Sequence, residues 1–65
     1  MANRFIKIKE VSARTALSRS YLYELCKLGK FPKPVKLSER ASAWTESEVE
    51  DWIEKRIAER DQGVA

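Results

Sequence analysis

Between Ser18 and Lys27 the chain places Arg19, Ser20, Tyr21, Tyr23 and Glu24. That set offers cations at both ends, two phenols, two hydroxyls and one carboxylate. More cations follow at Lys33, Lys36 and Arg40. Such groups suit recognition of a polyanion. Ammonium and guanidinium groups neutralise phosphates, while hydroxyls and a carboxylate can exchange hydrogen bonds with base edges. They do not suit catalysis, because the chain has no histidine, no glycine-rich phosphate loop and no paired nucleophile and base. No enzyme activity, metal or cofactor is expected. Cys26 is the only cysteine, so no disulfide framework or structural zinc site can form, and a lone reduced thiol suits an intracellular protein.

Those side chains need elements to hold them. Arg19 to about Leu28 reads as a helix, with Ser18 as N-cap and Gly29 at the left-handed position past its end. At about 100° per residue, Leu22, Leu25 and Cys26 share a buried stripe, and Ser20, Glu24 and Lys27 point the opposite way. Arg19 and Tyr23 flank the outward stripe on one side, Tyr21 and Leu28 on the other. Tyr21 and Tyr23 could instead pack against the first helix or the hairpin that follows, Tyr23 as readily as not. Ahead lies a shorter helix, Lys9 to about Thr15, then a turn at Ala16-Leu17, with Leu17 as a core plug. Two helices joined by so tight a turn have the layout of a helix-turn-helix.

Phe5 to Ile8 alternates apolar and basic residues, as a short strand or an extended lead-in would. After the second helix, Pro32 and Pro34 impose extended geometry on their neighbours. Val35-Lys36-Leu37 and Ala41 to Trp44 then flank Ser38-Glu39-Arg40 as a small β-hairpin. Val35 and Leu37 are expected inward, Lys36 outward and Arg40 near the tip. Thr45-Glu46-Ser47-Glu48 is a capping box opening a last helix, whose Val49, Trp52, Ile53 and Ile57 recur at helical spacing. Trp44 and Trp52 are expected in the core, and Glu10 is expected to cap or pair within the first helix. The expected fold is one mostly α domain with a small β-hairpin, residues 1–65, whose tail 61–65 frays.

Charge agrees with a binding face. Through Thr45 the chain carries ten basic and three acidic residues; beyond it, three basic and seven acidic. A basic front backed by an acidic helix is what a polyanion-binding surface needs. With 65 residues, such a domain buries only about 60% of the surface its unfolded chain exposes, too little to enclose an active site as well. No apolar run approaches the roughly 18 residues of a membrane helix, and Met1 to Arg4 opens no signal peptide, so the expected location is cytoplasmic.

Lys9-Glu10-Val11, Leu17-Ser18-Arg19-Ser20-x-Leu22-Tyr23, the run Gly29 to Leu37 (G-K-F-P-K-P-V-K-L), then Arg40, Trp44, Glu46 to Val49 and Trp52-Ile53 resemble the AlpA-like small regulators of prophages and integrative elements. These are winged-helix relatives of excisionases and of MerR-type DNA-binding domains. The resemblance implies a winged helix-turn-helix of three helices plus wing that binds double-stranded DNA without catalysis. The helix at about 19–28 would enter the major groove and the wing at about 35–44 would lie on the adjacent backbone or minor groove. Ser20, Tyr21, Glu24 and Lys27 would meet base edges, with Arg19 and Tyr23 near the backbone. Ser18 and the helix N-terminus would favour a phosphate, and Lys33, Lys36 and Arg40 would anchor the wing. Glu24 departs from the family, where a basic residue is common; here it would accept from cytosine N4 or pair with Lys27. Transcriptional regulation and excision on attachment-site DNA are both open, with further copies on adjacent sites or an integrase as partners. So is a protein-interaction module that docks on an integrase or a signalling protein through Phe31, Leu28 and the acidic last helix.

Overall fold

The computed structural model describes residues 3–63, which run β1 (Phe5–Ile6), α1 (Ile8–Thr15), α2 (Arg19–Lys27), β2 (Val35–Ser38), β3 (Ala41–Thr45) and α3 (Glu46–Gly63). This is the winged helix-turn-helix expected from the sequence: three helices with an antiparallel sheet. The sheet has the order β1-β3-β2. Phe5 faces Thr45 and Ile6 faces Trp44, so the short lead-in is a true strand, with Phe5 exposed and Ile6 buried. It also holds the start of α3, whose first amide, Glu46 N–H, donates to the Arg4 carbonyl at 2.8 Å.

The helix ends follow their local chemistry. α1 begins at Ile8, one residue ahead of expectation, and stops at Ala16, which takes the left-handed conformation (φ 63°) and donates its N–H to Ser12. The Ser12 hydroxyl donates to the Leu17 carbonyl at 2.6 Å, closing the turn. Ser18 accepts from Tyr21 N–H and caps α2. At its far end Gly29 (φ 75°) donates to Cys26 and Lys30 donates to Leu25, the paired reverse bonds of a Schellman motif. Thr45 caps α3 by accepting from Glu48 N–H, and its hydroxyl donates to the Glu48 carboxylate at 2.7 Å. α3 stays helical through Gly63; of the expected frayed tail, Val64 and Ala65 lie outside the described residues.

Ile6, Val11, Leu22, Leu25, Cys26, Phe31, Trp44 and Val49 form the core, with Ile8, Leu17, Trp52 and Ile53 packed at its margin. Trp44 is buried as expected, whereas Trp52 is only partly so. The Trp52 indole donates to the Lys30 carbonyl at 2.8 Å, its ring meets Phe31 edge-on at 4.9 Å, and the Arg56 guanidinium lies 5.6 Å from its centre. A polar tip served by a backbone carbonyl keeps such a side chain at the rim.

The inward placement of Val35 and Leu37 is corrected. Both are exposed, as is the whole of β2. The strand forms the sheet edge, its pairing with β3 slips between Lys36 and Ser38, and no described element covers its outer face. A four-residue edge strand of this kind has no core to point into.

Candidate nucleic-acid interface

The outward face of α2 carries Ser20, Glu24 and Lys27, all exposed, as the helical spacing requires. On one side of this face a shallow open groove runs between α2 and the link that leads on to β2, lined by Ser20, Tyr23, Glu24, Lys27, Lys33 and Pro34. Lys33 therefore joins the α2 residues rather than standing apart on the wing. On the other side lies a second groove between α2 and α3, lined by the apolar Leu25, Leu28, Ile53 and Ile57 together with Tyr21 and charged side chains such as Lys30 and Arg56. Tyr21 sits on this α3 side. Tyr23 is half-exposed, with its ring 6.1 Å from Trp44, so it does both things the sequence allows: it packs on the sheet and presents an edge outward. Arg19 is exposed at the first turn, Lys36 is exposed on β2, and Arg40 is exposed in the two-residue turn of the hairpin.

Two of the front cations are already paired with carboxylates of the fold. Arg14 donates to Glu10 at 2.7 Å and to Glu46 at 2.7 Å, and lies 3.5 Å from Glu50. Arg4 bridges Glu10 and Glu46 at 3.1 and 3.3 Å. These five residues tie α1, the segment before β1 and the start of α3 together. Glu10 does pair with Arg14 within α1, as expected, but its larger partnership reaches across the fold. By contrast, among the described residues Arg19, Lys27, Lys30, Lys33, Lys36 and Arg40 have no carboxylate within ion-pair distance. Positive charge is thus left uncompensated along α2, the link and the hairpin.

The clamp has a pH signature. The hydrogen bond from Arg14, chiefly, holds the Glu46 carboxyl below its ordinary range, and the bonds to Glu46 and Glu10 hold the Arg14 proton still more firmly. A carboxyl depressed in the folded state stabilises above its unfolded value, about 4.3, and that contribution is lost as pH falls through the folded value. Glu46→Gln should therefore melt earlier than the parent at neutral pH. The gap should begin to narrow as pH falls below about 4.3 and close only below the depressed folded value, where the parent carboxyl is itself protonated. Thermal melts of both proteins from pH 7 to 3 check this; a gap that stays constant would refute the clamp.

Cys26 is buried, its thiol donates weakly to the Pro32 carbonyl at 3.4 Å, and burial pushes its pKa up. Neutral and enclosed, it is packing material. Among the described residues no cluster of acidic, histidine or cysteine side chains could hold a metal, and no helix is long and apolar enough to cross a membrane.

Residues 4–57 match the model of a family described as prophage CP4-57 regulatory protein (AlpA). The chain belongs to the AlpA family. An AlpA-family identity also fits a relative from Enterobacteria phage P4, uncharacterized protein ORF88, which is 45% identical over 60 residues, covering 92% of this chain and 68% of the relative. No solved structure matches. AlpA-family membership makes this a phage-type regulatory protein; how it regulates is a matter for its surface.

Proposed function

We propose that this AlpA-family chain is a sequence-specific DNA-binding transcriptional regulator of a prophage or integrative element. The observation that carries the reading is the row of uncompensated cations on α2, the link and the hairpin, set beside an internal clamp that neutralises Arg4 and Arg14. α2 lies in the major groove with Ser20, Glu24 and Lys27 toward base edges and Tyr21 at the margin. Arg19 and Tyr23 approach the backbone, and the Ser18-capped N-terminus favours a phosphate. Lys33, Lys36 and Arg40 hold the neighbouring phosphates.

One module of this kind buries only about 600–1,000 Å² of its surface on DNA, so control calls for several copies on adjacent sites. The exposed apolar side chains Leu28 and Ile57, on the groove between α2 and α3, favour a protein contact in addition to DNA, whereas Phe31, expected on that surface, is buried in the core. A further copy or an integrase would be such a partner. Excision uses the same binding at attachment sites, and the position of the sites on the element decides between the two roles.

The test is titration onto duplexes from the element's promoter and attachment regions, beside scrambled DNA. With about six phosphates neutralised, affinity should fall on the order of a thousandfold between 50 and 200 mM salt. Discrete complexes on specific duplexes are expected. Equal affinity for scrambled DNA would sink sequence-specific recognition, and no binding at all would leave protein partners as the target.

A further inference from the structure

Glu24 is the only acidic residue of α2, and it occupies the crest of the outward face, lining the groove beside Lys33 and the groove beside Ile53 alike. Nothing within the fold accounts for a carboxylate there. It is exposed, and among the described residues no cation lies within ion-pair distance of it, although Lys27 stands one turn on. Its neighbours at i−4 and i+4 are Ser20 and Leu28, and Lys27 at i+3, though oppositely charged, is not drawn into an ion pair with it. It sits mid-helix, where neither end of the dipole favours it. Against a polyanion it is repulsive and cancels one of the surrounding cations.

On the reading that α2 enters the major groove, we propose that Glu24 is the residue that sets base preference, by accepting from the N4 amino group of a cytosine. An ionised carboxylate can only accept hydrogen bonds. Guanine presents two acceptors in the major groove, and thymine presents an acceptor and a methyl group. Adenine sets an acceptor beside its amino group. Cytosine alone offers a donor with no acceptor on the same base. At the crest of the helix, where the approach to the bases is closest, the same carboxylate repels the phosphates of a misplaced register. Glu24 thus trades affinity for all DNA against preference for one base.

The experiment starts from the tightest duplex among the promoter and attachment regions. Each base pair is replaced in turn, and the series is measured with the wild type, Glu24→Ala and Glu24→Gln. Because Glu24 is exposed and unpaired, all three should fold alike, which circular dichroism verifies. For the wild type, one position should demand cytosine, with other bases weaker by about 5- to 150-fold. Glu24→Ala should lose discrimination at that position only, and bind scrambled duplex about fivefold more tightly at 0.15 M salt, since one repulsive charge is gone. Glu24→Gln should turn the preference toward adenine, whose N6 and N7 match an amide. Glu24→Ala keeping the wild-type preference at every position would overturn the proposal while leaving DNA binding intact. A wild type that binds no duplex overturns both.

Discussion

Charge reversal at Lys33 and Arg40 together is expected to weaken DNA binding on the order of a thousandfold at 0.15 M salt, for specific and scrambled duplexes alike. Each phosphate neutralised is worth about a factor of five at that salt relative to 1 M, and replacing a cation by glutamate undoes this twice, once by loss and once by repulsion. The two sites stand on different elements, the link after α2 and the turn of the hairpin, so they report whether the wing and the groove beside α2 face the same molecule. Neither side chain has an internal ion-pair partner among the described residues, and both are exposed, so the fold should survive the exchange. The salt slope of the double variant should fall by about four, two for the cations lost and two for the repulsive charges gained, the signature of altered phosphate contacts rather than lost base readout. Unchanged affinity would place the polyanion elsewhere. Unchanged regulation in the host, despite lost DNA binding, would instead favour the protein-contact reading of the groove between α2 and α3.

How far the sequence leads depends on the range of each interaction. Ser18, Gly29 and the Thr45-x-x-Glu48 box are legible because a cap is decided by residues within one turn of it. The outward stripe of Ser20, Glu24 and Lys27 follows from helical spacing alone, and α2 shows it unchanged. The hairpin can be placed from its prolines and alternation, but not which of its faces is covered, because burial of Val35 and Leu37 depends on a neighbour the strand itself does not encode. The same limit hides the clamp. Glu10 and Arg14 are four residues apart and visible as a helix pair, whereas the bond from Arg14 to Glu46 spans 32 positions and arises only when β1 pairs with β3. Total charge through Thr45 therefore overstates the binding face: Arg4 and Arg14 add to the sum and not to the surface potential. Likewise Lys33 looks like a wing residue by position, yet it lines the groove beside α2, a placement that depends on how the link packs on the helix rather than on its own neighbours in sequence.

Trp44→Ala is expected to unfold the chain. Trp44 is 1% exposed, lies on the central strand of the sheet, and touches Tyr23 of α2 and Phe31 of the link with its ring. Its indole donates to the Pro32 carbonyl at 2.7 Å, which pins the link to the hairpin. Removing so large a buried side chain typically costs about 3–5 kcal/mol. A core of this size supplies only about 3–5 kcal/mol in total, so the single change consumes the whole margin. Trp44→Phe separates packing from the hydrogen bond. It keeps an aromatic ring but leaves the Pro32 carbonyl with only the Cys26 thiol, a weak donor at 3.4 Å. An acceptor left nearly unpaired in a buried setting costs about 1–3 kcal/mol, or roughly 5–20 °C of melting temperature in a domain this small. Measured below that melting temperature, Trp44→Phe should still bind DNA, but more weakly, because the link that aims Lys33 and the hairpin that carries Arg40 are no longer fixed to each other. A Trp44→Ala protein that melts cooperatively near the wild-type temperature would mean the sheet is held by β1 and α3 alone. In that case the indole would serve the orientation of the wing rather than the fold.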